Sequence, residues 1–210
     1  MADAPYRGVI LAAGHGSRMG PFGEHFAKAL VPVCNRPLLA YQLDHMRALG
    51  IAEVILVIGF LGESIREAIG DGTEYGLHIQ YVEQAERLGL AHAVGALEAY
   101  LDGAFVLMLG DIYWDVADFP AMIRLYEETG VAAVLAVKEE TELEAVKRNF
   151  SVALHEDGTV REVVEKPKTV TTTLKGCGLY VFDQRIFEAI GRTPRSSLRN
   201  EFELTDAIQC

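Results

Sequence analysis

Cysteine is scarce: Cys34, Cys177 and Cys210 are scattered, odd in number and without a C-x-x-C pair, so neither a disulfide framework nor a zinc site is supported. A reducing cytoplasm is the compartment expected. Positive charge is short as well, with 19 Lys and Arg against 30 Asp and Glu, a formal net charge of −11 and a pI near 5.0. That balance argues against a nucleic-acid backbone as the main partner, because such binding depends on clustered basic side chains. No uninterrupted run reaches the ~20 apolar residues of a membrane span. The first residues, Met1 to Arg7, lack the basic start and apolar centre of a signal peptide. A soluble protein is expected, with no membrane partner. Internal repeats, low-complexity segments and linkers are missing too. What is present is 50% hydrophobic content and a mean hydropathy of +0.16 over 210 residues, enough to bury a sizeable core in one domain spanning 1–210.

The apolar patterning alternates between two periods. Leu39, Leu43, Met46 and Leu49 predict a helix over 38–49 with Gly50 as its stop, and the β-branched run 54–58 predicts a buried strand. Strand, helix, strand implies a right-handed crossover. The pattern continues with a short helix at 62–69, a strand at 77–82, a helix at 91–100 and a central strand at 105–109. A helix at 121–128 and a strand at 131–137 follow. From Ser151 the texture changes to a hairpin, 151–155 and 159–164, turning at Asp157-Gly158. A strand at 178–182, a helix at 184–190 and a terminal helix starting near Glu203 complete the chain. The expected fold is α/β, a doubly wound, mostly parallel Rossmann-like sheet with an antiparallel elaboration in the second half.

The most informative stretch is Gly8 to Pro21, an apolar strand that empties into a glycine-rich loop. Val9 to Leu11 suit burial on both faces of a parallel sheet, and Gly14 and Gly16 let backbone N–H groups turn toward an anion. Arg18 adds a fixed charge, and Lys28 follows ten residues later. A small-residue loop that merely joins two elements is the alternative, and these two cations weigh against it. The spacing excludes the two commoner phosphate loops. A dinucleotide fingerprint runs directly into a helix, whereas Ser17, Arg18, Met19, Gly20 and Pro21 read as irregular, and a Walker A loop needs a Gly-Lys-Ser/Thr that is absent.

The run resembles the signature of the sugar-1-phosphate nucleotidylyltransferases, L-A-A-G-x-G-[ST]-R-[ML]-x-P followed by P-K-x-L-x-P-V. Here the second segment reads Ala27-Lys28-Ala29-Leu30-Val31-Pro32-Val33. Ala27 stands where the family usually has proline, a loss expected to loosen the approach to Lys28. The resemblance implies a nucleoside triphosphate, UTP or dTTP, joined to a sugar 1-phosphate. It implies nucleotide contacts from Leu11, Ala12, Ala13, Gly14, Gly16 and Ser17, with Arg18 and Lys28 as the catalytic cations on the phosphates. It further implies Mg²⁺ held by Asp111 of Leu109-Gly110-Asp111. On chemistry alone, Asp111 after an apolar strand fits either a magnesium ligand or a residue capping its own turn.

Two further segments carry the resemblance. Gln84, followed by Gly89 at the head of a helix, resembles the base-recognition segment: an amide offers the donor and acceptor that a pyrimidine edge demands, and a glycine admits a flat ring. An exposed loop glutamine is the alternative. Glu165-Lys166-Pro167 resembles the family's E-K-P contact to the sugar hydroxyls and phosphate, against an exposed ion pair at a strand end. Gly178 belongs to a glycine-rich strand start like the one lining the sugar pocket, whereas Phe150-Ser151 departs from the family's Y-G pair and leaves the sugar open. Glu203-Leu204-Thr205-Asp206 resembles an E-[IL]-T-D helix start, with Asp206 expected to cap the helix or meet a second subunit. The family's second metal aspartate comes later, in a W-x-D segment, and this chain ends at Cys210. Three readings stay open there: a piece lacking a C-terminal portion of the family, a metal held by Asp111 with phosphates and water, or a nucleotide-sugar-binding subunit without catalysis. A CTP-dependent cytidylyltransferase acting on a small phosphorylated alcohol is a further alternative, and homo-oligomerisation is open.

Overall fold

The computed structural model describes residues 6–16, 19–197 and 199–210. Strand β1, Arg7–Leu11, lies between two parallel neighbours, β4 (Glu53–Ile58) and β6 (Phe105–Leu109). Strand β5, His78–Glu83, adds to β4, also in parallel. On the far side of β6 the sheet turns antiparallel: β10 (Leu174–Phe182) pairs β6, and β8 (Phe150–Leu154) and β9 (Val160–Glu165) follow, giving the order β5-β4-β1-β6-β10-β8-β9. The eighth strand, β7 (Ala133–Glu139), also pairs β10, while β2 (Pro32–Val33) and β3 (Arg36–Pro37) form a separate antiparallel pair. The α/β sheet with a parallel first half and an antiparallel second half matches the expectation.

Both faces of the parallel half are covered, which is why β1 and β4 read as continuous apolar runs. On one face Ile10, Leu56 and Ile58 meet Leu39, Leu43 and Met46 of α2 (Leu38–Ala48) and Ile65 of α3 (Gly62–Ile69). On the other, Val9, Val57 and Leu107 meet Ala93 and Val94 of α4 (Leu90–Gly95). Phe187 of α7 (Arg185–Arg192) and Leu204 of α8 (Leu204–Gln209) close that second face. A further helix, α5 (Ala121–Thr129), packs Met122, Ile123 and Tyr126 partly buried against the first face. No helix among the described residues is long and apolar enough to cross a membrane.

Several elements differ from the sequence reading. The helix expected over 91–100 stops at Gly95, and Glu98–Tyr100 forms a separate 3-10 turn. Glycine costs a helix about 1 kcal/mol relative to alanine, and here it lets α4 approach Ile190 of α7, whose side chain would lie 3.1 Å from an added Cβ. Strand β10 begins four residues earlier than expected, at Leu174, and its pairing with β7 breaks between Gly176 and Tyr180, where Gly178 takes φ 68°. One helix, α6 (Leu143–Lys147), had no periodic signal because five residues are too short to show one. Directly after Pro21, Phe22–His25 makes a single helical turn, α1.

Ala27 shows what the missing proline does. It takes φ −66° and ψ 126° unaided and leads into a 3-10 turn, Lys28–Leu30. That φ is the one a pyrrolidine ring would impose, so the approach to Lys28 keeps its path. Phe26 ahead of it is extended, at φ −135° and ψ 123°, as a residue before proline must be. An Ala27→Pro variant is expected to gain about 0.4–1 kcal/mol of stability by restricting the unfolded chain, measured as a raised urea midpoint at unchanged slope.

Candidate active site

The chain leaves β1 for β4 on one side and returns to β6 on the other, so the loops after β1 and β6 part at their carboxyl ends. In an open α/β sheet this reversal of strand order makes a crevice. A cavity of about 390 Å³ occupies it here. Leu11, Ala12, Ala13 and Gly14 line it from the end of β1, and Asp111 from the end of β6. Gln84, Gly89, Lys28, Glu165, Lys166 and Gly178 line the same cavity, from sequence positions as far apart as 28 and 178. Gly16 is not among the lining residues; it takes φ 65°, with its carbonyl accepting from Met19 N at 2.8 Å. Ser17 and Arg18 lie outside the described residues.

At the centre, the Lys28 ammonium contacts the Asp111 carboxylate, both side chains being a little over one-third exposed. An isolated pair so accessible adds little stability. Its significance is positional, since it brings together two residues 83 positions apart in the chain.

Toward one end, Gln84 is anchored by its own backbone, its N–H donating to Ile58 O at 2.8 Å. Gly89 takes φ 112°, and an added Cβ would stand 2.4 Å from Phe202 O, so no other residue fits. Phe202 in turn clasps this loop: its N–H donates to Leu88 O at 2.6 Å and its carbonyl accepts from Ala91 N at 3.0 Å. His15 stacks on Phe60 at 4.0 Å between ring centroids, and the Arg87 guanidinium lies over the same ring at 5.8 Å. The stack ties together the loops after β1, β4 and β5. His92, in α4, lies near Phe202, with centroids 6.4 Å apart, and is not among the lining residues.

The opposite end is built on charge. Lys166 holds a left-handed φ of 44° with its N–H donating to Asn149 O at 2.7 Å, an arrangement that costs of order 1–3 kcal/mol and points to a position the surroundings enforce. Arg199 spans three carboxylates: Glu201 at 2.8 Å, Glu203 at 3.4 Å and Glu165 at 3.7 Å. Burial, reinforced by the nearby Glu203 charge and opposed by Lys166 and Arg199, pushes the Glu165 carboxyl up to about 7. Glu203 is likewise raised by its own burial, partly offset by Arg199. Its Oε1 and the Thr205 hydroxyl are buried without a hydrogen-bond partner, although both residues line the cavity.

Arg87, Arg148, Arg199, Glu201, Glu203 and Thr205 line the cavity without having been assigned to it from the sequence. Glu203 and Thr205 fall in a segment that resembled a family motif, so a signal was present, whereas Arg148 stands just before the Phe150-Ser151 pair that departs from one. Arg87, Arg199 and Glu201 sit in loops without pattern and reach the cavity only through the fold. Asp206 is not among the lining residues; it sits in the first turn of α8, where no side chain caps the helix by a hydrogen bond.

The family model described as nucleotidyl transferase matches residues 7–210. The chain belongs to the nucleotidyl transferase family. Within that family it is 36% identical over 208 residues to the low-salt glycan biosynthesis nucleotidyltransferase Agl11 of Haloferax volcanii, covering 97% of this chain and 56% of that protein. It is 37% identical over 205 residues to a glucose-1-phosphate thymidylyltransferase of Streptomyces antibioticus, with the same coverage of each. The UTP–glucose-1-phosphate uridylyltransferase AglF of Haloferax volcanii is 34% identical, with 95% of this chain and 81% of that protein covered. The chain thus spans little more than half the length of the first two relatives. Among solved structures, a Bacillus anthracis protein assigned as a glucose-1-phosphate thymidylyltransferase, in complex with a sucrose, superposes at a TM-score of 0.85 with 25% identity, covering 96% of this chain and 80% of that one. A UDP-glucose pyrophosphorylase complexed with UDP-glucose shares the fold at a TM-score of 0.84.

A carboxyl group whose proton is held more tightly in the folded than in the unfolded chain stabilises the fold while protonated, and that contribution is lost as pH rises through the folded value. For Glu165 the window runs from the ordinary carboxylate range up to about 7. Glu165→Gln is therefore expected to melt at the wild-type temperature near pH ~5 and above it at pH ~8, read by calorimetry across that range.

Proposed function

We propose that this nucleotidyl transferase family member joins a nucleoside triphosphate, UTP or dTTP, to a sugar 1-phosphate, giving a nucleotide sugar and pyrophosphate. The observation that carries the reading is the gathering of Lys28, Asp111, Gln84, Glu165 and Lys166 around one cavity at the reversal of strand order. In the transfer, an oxygen of the sugar phosphate attacks the α-phosphorus, and the bond from that phosphorus to the oxygen bridging to the β-phosphate breaks. The electron pair leaves with pyrophosphate. No protein nucleophile is needed, because the attacking phosphate is already ionised; alignment and charge stabilisation supply the rate. Lys28 holds the α-phosphate and the incoming phosphate in line, and Arg18 holds the departing phosphates. Gln84 pairs with the base edge beside Gly89. Glu165 accepts from sugar hydroxyls while Lys166 meets the sugar phosphate.

Mg²⁺ fits the donor set at Asp111. Among the described residues no group of three or more His, Cys, Asp or Glu forms an all-protein cage. Magnesium commonly takes only one or two carboxylates and completes its shell with phosphate oxygens and water. The Asp111 carboxylate, with the Lys28 cation resting on it, matches that pattern. Bound there, the ion would neutralise charge on the phosphates.

Pyrophosphate release from a panel of triphosphates and sugar 1-phosphates tests the reading. Release with UTP or dTTP and a hexose 1-phosphate is expected. Release only with CTP and a phosphorylated alcohol would replace the proposal by a cytidylyltransferase, and calorimetric binding without release would leave a nucleotide-sugar-binding subunit. Lys28→Ala is expected to lower turnover by a factor on the order of 10² or more with the fold intact; unchanged turnover would remove Lys28 from the chemistry. Because an ionised Glu165 is the better acceptor for hydroxyls, KM for the sugar phosphate is expected to rise as pH falls through about 7, and this dependence should vanish in Glu165→Gln.

A further inference from the structure

Asp111 reaches the cavity from a tight turn, residues 109–112, closed by Ile112 N donating to Leu109 O at 3.3 Å. Such a turn, two residues long between its ends, has little of its own to fix its direction. The fixing group comes from α2. Gln42, fully buried, donates from its single amide nitrogen to Leu109 O at 3.0 Å and to Ile112 O at 2.8 Å, the carbonyls at the two ends of the turn. Both N–H groups of one planar amide are thereby used, and its Oε1 is left without a partner. An orphaned buried acceptor is destabilising, so the site retains an energetically unfavourable group where a buried apolar residue would serve packing alone.

The same helix holds the other half of the pair. Leu38 N, at the start of α2, donates to Val31 O at 3.0 Å, fastening the segment that follows the Lys28–Leu30 turn. Beyond Gln42, His45 stacks on Phe119 at 4.8 Å and Tyr41 meets Tyr113 edge to face at 5.3 Å. Helix α2 is therefore a common rail for Lys28 on one side and for the chain that carries Asp111 on the other.

We propose that Gln42 is a positioning residue for the transfer site, its amide clamping both ends of the Asp111 turn and so setting that carboxylate against Lys28. The inference rests on the reading of Asp111 as the magnesium ligand. Gln42 touches neither substrate nor metal; it acts through the turn.

The test pairs Gln42→Met, which keeps the volume and loses both donors, with Gln42→Glu, which keeps the shape and places an acceptor against two carbonyls. Each is made in the wild-type and Asp111→Ala backgrounds, with circular dichroism as the check on folding. In the metal-free protein, hydrogen exchange of the Ile112 amide is expected to quicken about tenfold or more while the helix amides of α2 stay protected. With UTP and hexose 1-phosphate, kcat is expected to fall on the order of tenfold or more with the KM for sugar phosphate nearly unchanged. The Mg²⁺ concentration for half-activity should rise, and Mn²⁺ binding in the presence of UTP, followed by electron paramagnetic resonance, should weaken in parallel. In the Asp111→Ala background neither Gln42 variant should lower kcat further. Wild-type exchange, kcat and metal dependence in Gln42→Met would overturn the inference alone, as would an equal loss in both backgrounds, the mark of a general packing role. An Asp111→Ala enzyme as active as wild type would overturn the magnesium assignment and this inference with it.

Discussion

The pairing of β1 with β4 on one edge and β6 on the other is the constraint on which everything else turns. All five residues of β1 pair with β6, Gly8 to Leu11 also pair with β4, and both faces are covered, so Val9, Ile10 and Leu11 must all be apolar and the strand cannot shift register without exposing them. Because the chain winds one way to β4 and β5 and then returns to β6, the loops at the ends of β1 and β6 diverge. The cavity is the geometric consequence of that reversal. A glycine loop after β1 and an aspartate after β6 thereby line one cavity.

The cavity has two electrostatic characters. At its centre a lysine and a carboxylate balance one another at an exposed contact. At the end near β9 and α8, one arginine is shared among three carboxylates, and burial leaves Glu165 poised near neutrality. Charge so concentrated, with a hydroxyl and a carboxylate oxygen in the wall that have no hydrogen bond among the described residues, is unfavourable in the free protein and is the arrangement expected where a polar ligand completes the hydrogen bonding. The C-terminal segment supplies much of this wall. Phe202 clasps the 88–91 loop, and Gln209 accepts from Val163 N at 2.8 Å, so this segment is fastened both to that loop and to β9.

Much of the candidate site was legible because its residues sit in local patterns with a mechanism. Gly14 and Gly16 follow an apolar strand, Asp111 follows another, and Gly89 opens a helix; each is a position whose backbone needs can be read from its neighbours. Arg199 has no such context. It stands in an irregular loop far from Glu165 in the chain, and only the packing of α8 against β9 brings the two together. Gln42 was hidden for the opposite reason: on a helix with clear apolar spacing it occupied a buried face, and nothing in the periodicity distinguishes a buried glutamine that packs from one that grips another loop.

Where a property depends on period and local chemistry, the chain alone determined it. The alternation of short apolar runs with helical spacing dictated an α/β sheet, and the strand-to-glycine-loop junction placed a backbone free to turn at the carboxyl end of β1, since both follow from side-chain direction and backbone freedom within a few residues. Tertiary structure alone decided which charges share a cavity. Coulombic coupling and desolvation depend on distance in space, and the separations that matter here, Lys28 to Asp111, Arg199 to Glu165 and Gln42 to the Asp111 turn, join residues 83, 34 and 67 or 70 positions apart. No local rule reaches across such intervals until β1 has taken its place between β4 and β6.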